Sequence, residues 1–265
     1  KLYAKAGNMK KFIENLGERF LFLLDYIGSI SILIFSSLKK TTKLKKKEDI
    51  LKYILEIGSD SFSLVGIIAL FTGMVLVMET VHTLKKFGAE MYSGGLVTIS
   101  MIRELGPVLI ALIIAGRIGA SIAAEIGVMK ITEQIDALDV MAVDPVTYLV
   151  SPRVLAGIIS LPCLFILSFF ISIIGGFFVG VFMVGIPSGI YLYQSFKYVN
   201  IKDFIVGLLK VVVFAILVIN VSSYEGLNAY GGAEGVGRAS TKAVVSSFFL
   251  IILANLIITG LFYFV

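Results

Sequence analysis

Long apolar runs separated by short charged ones set the pattern of this chain. Uncharged residues run from Val154 to Phe196 and again from Ala243 to Val265. About 20 apolar residues cross the ~30 Å of a bilayer's hydrocarbon, so both runs qualify. The full pattern predicts five spans, at about 59–80, 92–117, 152–183, 203–224 and 243–265. Residues 9–38 are also apolar but are interrupted by Glu14, Glu18, Arg19 and Asp25, and the uncharged stretch Tyr26–Leu38 is too short to span. An elbow helix lying along the membrane surface is expected there.

Charge then orients the spans. Lys39, Lys40, Lys43, Lys45, Lys46 and Lys47 follow the first apolar stretch, and such a cluster marks the cytoplasmic side. Five spans from there leave the C-terminus outside. The turn HTLKKFGAE and the amphipathic stretch 186–200 fall outside; 118–150 and 225–242 fall inside. The fold class is an all-α integral membrane protein. Residues 1–58 are expected to form an interfacial helix and basic segment, and 59–265 a single transmembrane domain without an obvious internal repeat.

Two charges sit where hydrocarbon should be. Arg103 and Glu104 fall near the middle of the second span, where a central Arg costs about 2.5–3.5 kcal/mol even on the lenient insertion scale. Neighbouring helical residues point ~100° apart, so the two are poorly placed to neutralise each other. Either they line a substrate path, or they pair with other helices and lock them. Lys210, inside the fourth span, is a partner or a second lining charge. Gly106-Pro107 follows, and Pro removes a helical hydrogen bond and tends to kink the helix.

The inner segment 121–140 reads as one amphipathic helix. Ala124, Val128, Ile131, Ile135 and Leu138 share one side at 4-3-4-3 spacing. Glu125, Thr132, Asp136 and Asp139 gather on the other, flanked by Glu133, with Lys130 and Gln134 in the same segment. A lipid-binding helix would carry Lys or Arg on its polar face, and the cytoplasmic leaflet is itself negative. An acidic face suits a protein groove better. Asp144-Pro145 and Ser151-Pro152 end the segment. Small residues recur at four-residue spacing in Gly116-Ala120-Ala124, Gly119-Ala123-Gly127 and Gly176-Gly180, which allows close helix packing in lipid, within one chain or across a dimer.

Composition narrows the chemistry. The chain is 58% hydrophobic and 15% charged, with a net charge of +5 that comes largely from the Lys cluster, so nucleic acid is not an expected partner. His82 is the only His and Cys163 the only Cys, which leaves His-based metal sites, catalytic triads and internal disulfides without support. No cleavable signal peptide is expected, because the first apolar run is interrupted by Asp25 and lacks a small-residue cleavage site. The loop GGAEGVGRAS has Gly232 and Gly237 at P-loop spacing, but Arg238-Ala239 stands where Lys-Ser/Thr is required. Neither a catalytic residue nor a cofactor of its own is expected.

These stretches carry a resemblance. RELGPV at 103–108, AGRIGASIAAEIGVMKITEQIDAL at 115–138, MAVDP at 141–145, SPR at 151–153 and GRASTKAVV at 237–245 resemble the MlaE family of ABC-transporter permeases, which includes plastid lipid permeases. The resemblance implies a homodimer, a separate cytoplasmic ATPase that holds ATP and Mg, and an MCE-domain substrate-binding protein on the opposite side. It implies phospholipid as cargo, and the inner membrane of a double-membraned bacterium or a plastid inner envelope as the location. It carries lipid contacts onto Leu76, Thr83, Leu84, Phe87, Glu104 and Lys210, with Arg103 adjacent. The family can have Tyr at Phe87, and HTLKKFG departs from a more apolar version. The family's coupling helix falls on 121–140, hence on Glu125, Lys130, Thr132, Glu133, Gln134, Asp136 and Asp139. An ion-coupled carrier working alone is the rival reading, drawn from the intramembrane charge; a membrane-embedded enzyme is a distant third.

Overall fold

The computed structural model describes the backbone of residues 2–41 and 47–263, and the side chains of 17, 18, 21, 24–41 and 49–263. Lys43, Lys45 and Lys46, the side chains of Glu14, Arg19 and Lys47, and the last two residues of the fifth expected span lie outside the described residues. Eleven α-helices are described: α1 (Leu2–Thr41), α2 (Lys47–Ile54), α3 (Asp60–Leu84), α4 (Ser93–Ser100), α5 (Gly106–Ile114), α6 (Ala120–Ile131), α7 (Gln134–Val140), α8 (Ser151–Phe177), α9 (Ser188–Lys197), α10 (Ile201–Leu227) and α11 (Gly232–Tyr263). Wider π-helical turns at Leu55–Ser59, Met101–Leu105 and Ala115–Gly119 join successive helices, and others at Val146–Val150 and Phe178–Met183 extend α8 at its two ends.

The joined helices give five segments long and apolar enough to cross a membrane: Asp49–Phe87, Glu90–Ile131, Val146–Met183, Ile201–Leu227 and Gly232–Tyr263. All five expected spans are present, and nearly every end reaches further than expected. Hydropathy marks where a helix leaves hydrocarbon, whereas backbone hydrogen bonding carries it on into polar surroundings. The largest extension at a single end is in the second span, where α6 continues through residues expected to have turned back inside.

α10 lies at the centre. More than half of its most apolar window is buried (56%), against 28% for the first span and 17% for the fifth. It packs on α5, α6, α8 and α11, with Phe214, Val218 and Ile219 fully enclosed. The peripheral helices instead present apolar surface outward, through Phe71 and Val75 on α3 and Phe249, Ile252 and Leu256 on α11. α3 and α8 form the closest pair. A Cβ at Gly73 would collide with the carbonyl oxygen of Ser172, and one at Gly175 with that of Leu70. Bare glycine lets the two backbones touch, the packing drive available where lipid is as apolar as Leu.

α1 crosses the inner ends of α8 and α10. Tyr26 Oη donates to Glu225 Oε1 (2.6 Å) and Ser37 Oγ to Asn220 Oδ1 (2.8 Å), while Ser151 Oγ donates to Ser37 O (3.0 Å). Tyr26 and Ser37 are about 16 Å apart along α1, but Asn220 and Glu225 only about 8 Å apart along α10. The two helices therefore cross rather than run side by side. Ile30, Leu33 and Ser37 face the protein, and Ile32 and Phe35 point away from it.

Candidate functional site

Arg103 and Glu104 occupy the π-turn Met101–Leu105, and each finds its partners on other helices. Glu104 Oε1 accepts from Lys210 Nζ (2.8 Å) and Thr259 Oγ1 (2.9 Å), and Glu104 Oε2 accepts from Asn255 Nδ2 (2.8 Å). Lys210 Nζ also donates to Thr259 Oγ1 (2.7 Å) and to Arg103 O (2.8 Å). That carbonyl is open because Pro107, four residues on, has no N–H to close an α-turn on it. The expected irregularity at Gly106-Pro107 thus takes the form of a π-turn, in which Gly106 N–H reaches back to Met101 O. Pro107 itself sits harmlessly in the first turn of α5.

Arg103 turns the other way. Its Nη2 pairs with Asp203 Oδ2 (2.8 Å), Tyr263 Oη donates to Asp203 Oδ1 (2.9 Å), and the guanidinium carbon lies 5.0 Å from the centre of the Tyr263 ring. A lysine ammonium has three donors, and those of Lys210, whose side chain is wholly buried, meet three acceptors. In this arrangement Lys210 has no donor to spare for a headgroup, which favours the helix-locking reading for it. Arg103 and Glu104 differ, because their side chains remain 41% and 37% exposed on an outward edge.

Four residues of this cluster escaped the sequence reading. Asn255, Thr259 and Tyr263 recur every four residues on α11, and Asp203 lies seven before Lys210 on α10, so each set shares one helix face. That spacing, in polar residues within apolar runs, was the available signal.

Leu76, Thr83, Leu84 and Phe87 lie on or just after α3, whose main neighbour is α8. Leu76 and Leu84 are half-buried, Thr83 is exposed and donates to Glu79 O (3.2 Å), and Phe87 projects outward. The structure brings Arg103, Glu104 and Lys210 together; of these four, Leu76 packs into the apolar cluster of Met101, Ile102 and Leu105 beside them, while Thr83 and Phe87 are exposed.

The inner segment corrects the expectation of one helix over 121–140. α6 ends at Ile131, Glu133 adopts a left-handed conformation (φ 60°), and α7 begins at Gln134. At the break the Oγ1 and N–H of Thr132 both bond to Val128 O, and Glu133 N–H bonds to Lys130 O. The side chain of a Thr competing for a carbonyl one turn back weakens helix continuation. Ala142, after α7, is left-handed too (φ 56°). Non-glycine residues there cost about 1–3 kcal/mol each and cluster at functional sites.

The supposed acidic face is divided by this break. Glu125 stays on α6 and pairs with Arg153 Nη2 (2.8 Å). Arg153 is buried, stacked 4.5 Å over the Tyr53 ring, and donates to Leu149 O (2.6 Å). Lys130 pairs with Asp136 (2.9 Å), and Gln134 Nε2 donates to Thr132 Oγ1 (3.0 Å). Glu133 and Asp139 are exposed with no partner among the described residues, beside the projecting Val140 and Met141. Asp144 closes the segment, bonded by the N–H and Oγ1 of Thr147 and by Lys40 Nζ. Burial pushes its carboxyl up, but those hydrogen bonds outweigh it and hold it below the ordinary carboxylate range.

The chain matches the family model described as Permease MlaE over residues 50–261. It is similar to a probable ABC transporter permease protein of Rickettsia felis, 40% identical over 94% of this chain and 97% of the relative. It is also similar to the intermembrane phospholipid transport system permease protein MlaE of Haemophilus influenzae, 35% identical over 95% of this chain and 97% of the relative. A probable ABC transporter permease protein of Synechocystis is 38% identical over 78% and 79%. With five membrane-crossing helices around a central α10, and a family match that takes in every span, this multi-pass membrane protein belongs to the MlaE permease family.

Proposed function

We propose that this chain is the permease subunit of an ATP-driven phospholipid transporter, working as a homodimer. The observation that carries the reading is the outward edge of Arg103 and Glu104. Hydrocarbon cannot solvate a guanidinium and a carboxylate at that depth, so a second copy or a lipid headgroup has to meet them. Two such edges facing one another would form a cavity with polar groups at its middle. Leu76, Thr83, Leu84 and Phe87 would supply apolar wall for acyl chains.

The drive comes from outside the chain. Glu133, Asp136 and Asp139, with Val140 and Met141, offer a cytoplasmic ATPase an acidic and apolar surface on α7. ATP and Mg belong to that subunit. Glu125, paired to Arg153, would pass movement of the inner segment to α8 and α2, and Lys130, Thr132 and Gln134 would keep α7 in register with α6. An MCE-type protein on the outer side would hand cargo to or from a second membrane, which fits the inner membrane of a double-membraned bacterium or a plastid inner envelope. The Haemophilus relative supports phospholipid as cargo.

The saturated Lys210 argues against a solitary ion-coupled carrier, which needs a charge able to exchange partners. Purified in mild detergent, the chain should arrive with an ATP-cleaving subunit and with phospholipid detectable by mass spectrometry. Arrival alone, with cargo movement independent of ATP, would overturn the proposal.

A further inference from the structure

The inner end of α10 borders a second polar cavity, of about 580 Å3, that the transport reading leaves unused. α1 and the start of α11 complete its walls. At its base Glu225, almost fully buried, accepts from Tyr26 Oη (2.6 Å) and pairs with Lys242 Nζ (3.0 Å). Burial, and then that bond to Glu225, raise the Tyr26 hydroxyl above its ordinary value, so it remains a donor. Glu225 and Lys242 neutralise each other, and the Tyr26 and Tyr224 rings meet edge to face at 5.4 Å.

Two charges on the rim are not used up in this way. Arg238 has only the exposed Glu234 near it, at 3.6 Å. Its guanidinium lies against Gly231, where a Cβ would stand 3.2 Å from Nη2. Asp25 is exposed with no partner among the described residues. The glycine-rich loop, which is no P-loop, has a use here: left-handed Gly231 and Gly232 turn the chain tightly enough to set Arg238 over the opening. The cavity therefore shows one cation held only by an exposed pair at 3.6 Å, one anion unpaired among the described residues, and exposed aromatic surface from Tyr230. α1 forms one of its walls through Asp25 and Tyr26.

We propose that this cavity holds the headgroup of a zwitterionic phospholipid of the inner leaflet, its phosphate on Arg238 and its ammonium between Asp25 and Tyr230. Arginine matches phosphate geometry, and an ammonium is drawn to a carboxylate and to an aromatic face. The volume lies within the ~300–1,000 Å3 usual for small-ligand sites. The site needs only the inward placement of this end and does not depend on transport.

The test uses the full chain in vesicles containing photoreactive phosphatidylethanolamine or photoreactive phosphatidylglycerol, with adducts mapped by peptide mass spectrometry. Adducts on the peptide spanning 224–242 should favour phosphatidylethanolamine by about tenfold, the scale of one charged contact. Asp25→Asn should remove that preference, and Arg238→Gln should lower labelling by both lipids. Both side chains are exposed, so thermal unfolding should not move and will show that the variants are folded. Equal labelling by the two lipids, or a preference that survives both variants, would overturn the proposal. Loss of labelling to millimolar soluble phosphoethanolamine would overturn the lipid assignment in favour of a soluble ligand. None of these readings requires the ATPase, so their failure would leave the permease proposal standing.

Discussion

The charges inside the second and fourth spans and those on the inner loop are treated in opposite ways. Lys210, Glu104, Arg103 and Asp203 are paired and, apart from one edge, enclosed; Glu133 and Asp139 are open and unpaired among the described residues. In hydrocarbon an unmatched charge is costly, so the chain matches each one and gains fixed helices. At the aqueous surface a charge costs little, so it can be left for another molecule. The location of a charge therefore says whether it holds this chain together or offers it to a partner.

Lys210→Ala should break that contrast most severely. Removing one member of a buried pair leaves its partner uncompensated, at about 3–5 kcal/mol. Thermal unfolding in detergent should shift sharply down, and Glu104→Gln with Lys210→Met should recover part of the loss. An unchanged midpoint would mean that the cluster does not lock α10 to α11. Charge reversal at Glu133 and Asp139 should do the converse. Lipid-stimulated ATP turnover by the assembled complex should disappear, while the unfolding midpoint stays within about 0.5 kcal/mol of the native value. Full turnover in that variant would remove the coupling role from α7.

Glu133→Gly sharpens the comparison. Relief of the left-handed backbone, less the entropy a glycine loses on folding, should stabilise by ~0.5 kcal/mol. Chemical denaturation would detect it, and a destabilised variant would show that the Glu133 side chain carries an interaction of its own. The smallest effect belongs to Asp144. Its carboxyl is more acidic folded than unfolded, so its contribution is complete above the unfolded pKa, ~3.9, and is lost as pH falls through the lower folded value. The Lys40 pair is partly solvated, worth up to ~1 kcal/mol. Asp144→Asn should flatten that acid-side slope and lower stability slightly at pH 7.

The spans were readable because hydropathy reports hydrocarbon, and Arg103, Glu104 and Lys210 stood out as charges within it. Their full set of partners was not, since Asn255, Thr259 and Tyr263 look like ordinary polar residues until α11 is laid beside α10. The inner segment misled because a heptad-like pattern persists across Thr132 and Glu133. Periodicity carries no record of a residue turned left-handed. Arg153 was legible only as part of a motif; its burial beneath Tyr53 depends on how α2 and α8 meet.

The contact of bare backbones at Gly73 and Gly175 limits how this protein can move. Where carbonyls and α-carbons meet at these two glycines there is no side chain to repack, so α3 and α8 have little slack to slide through at those points. They would act as a stator. Any working stroke would then have to come from helices outside this seam.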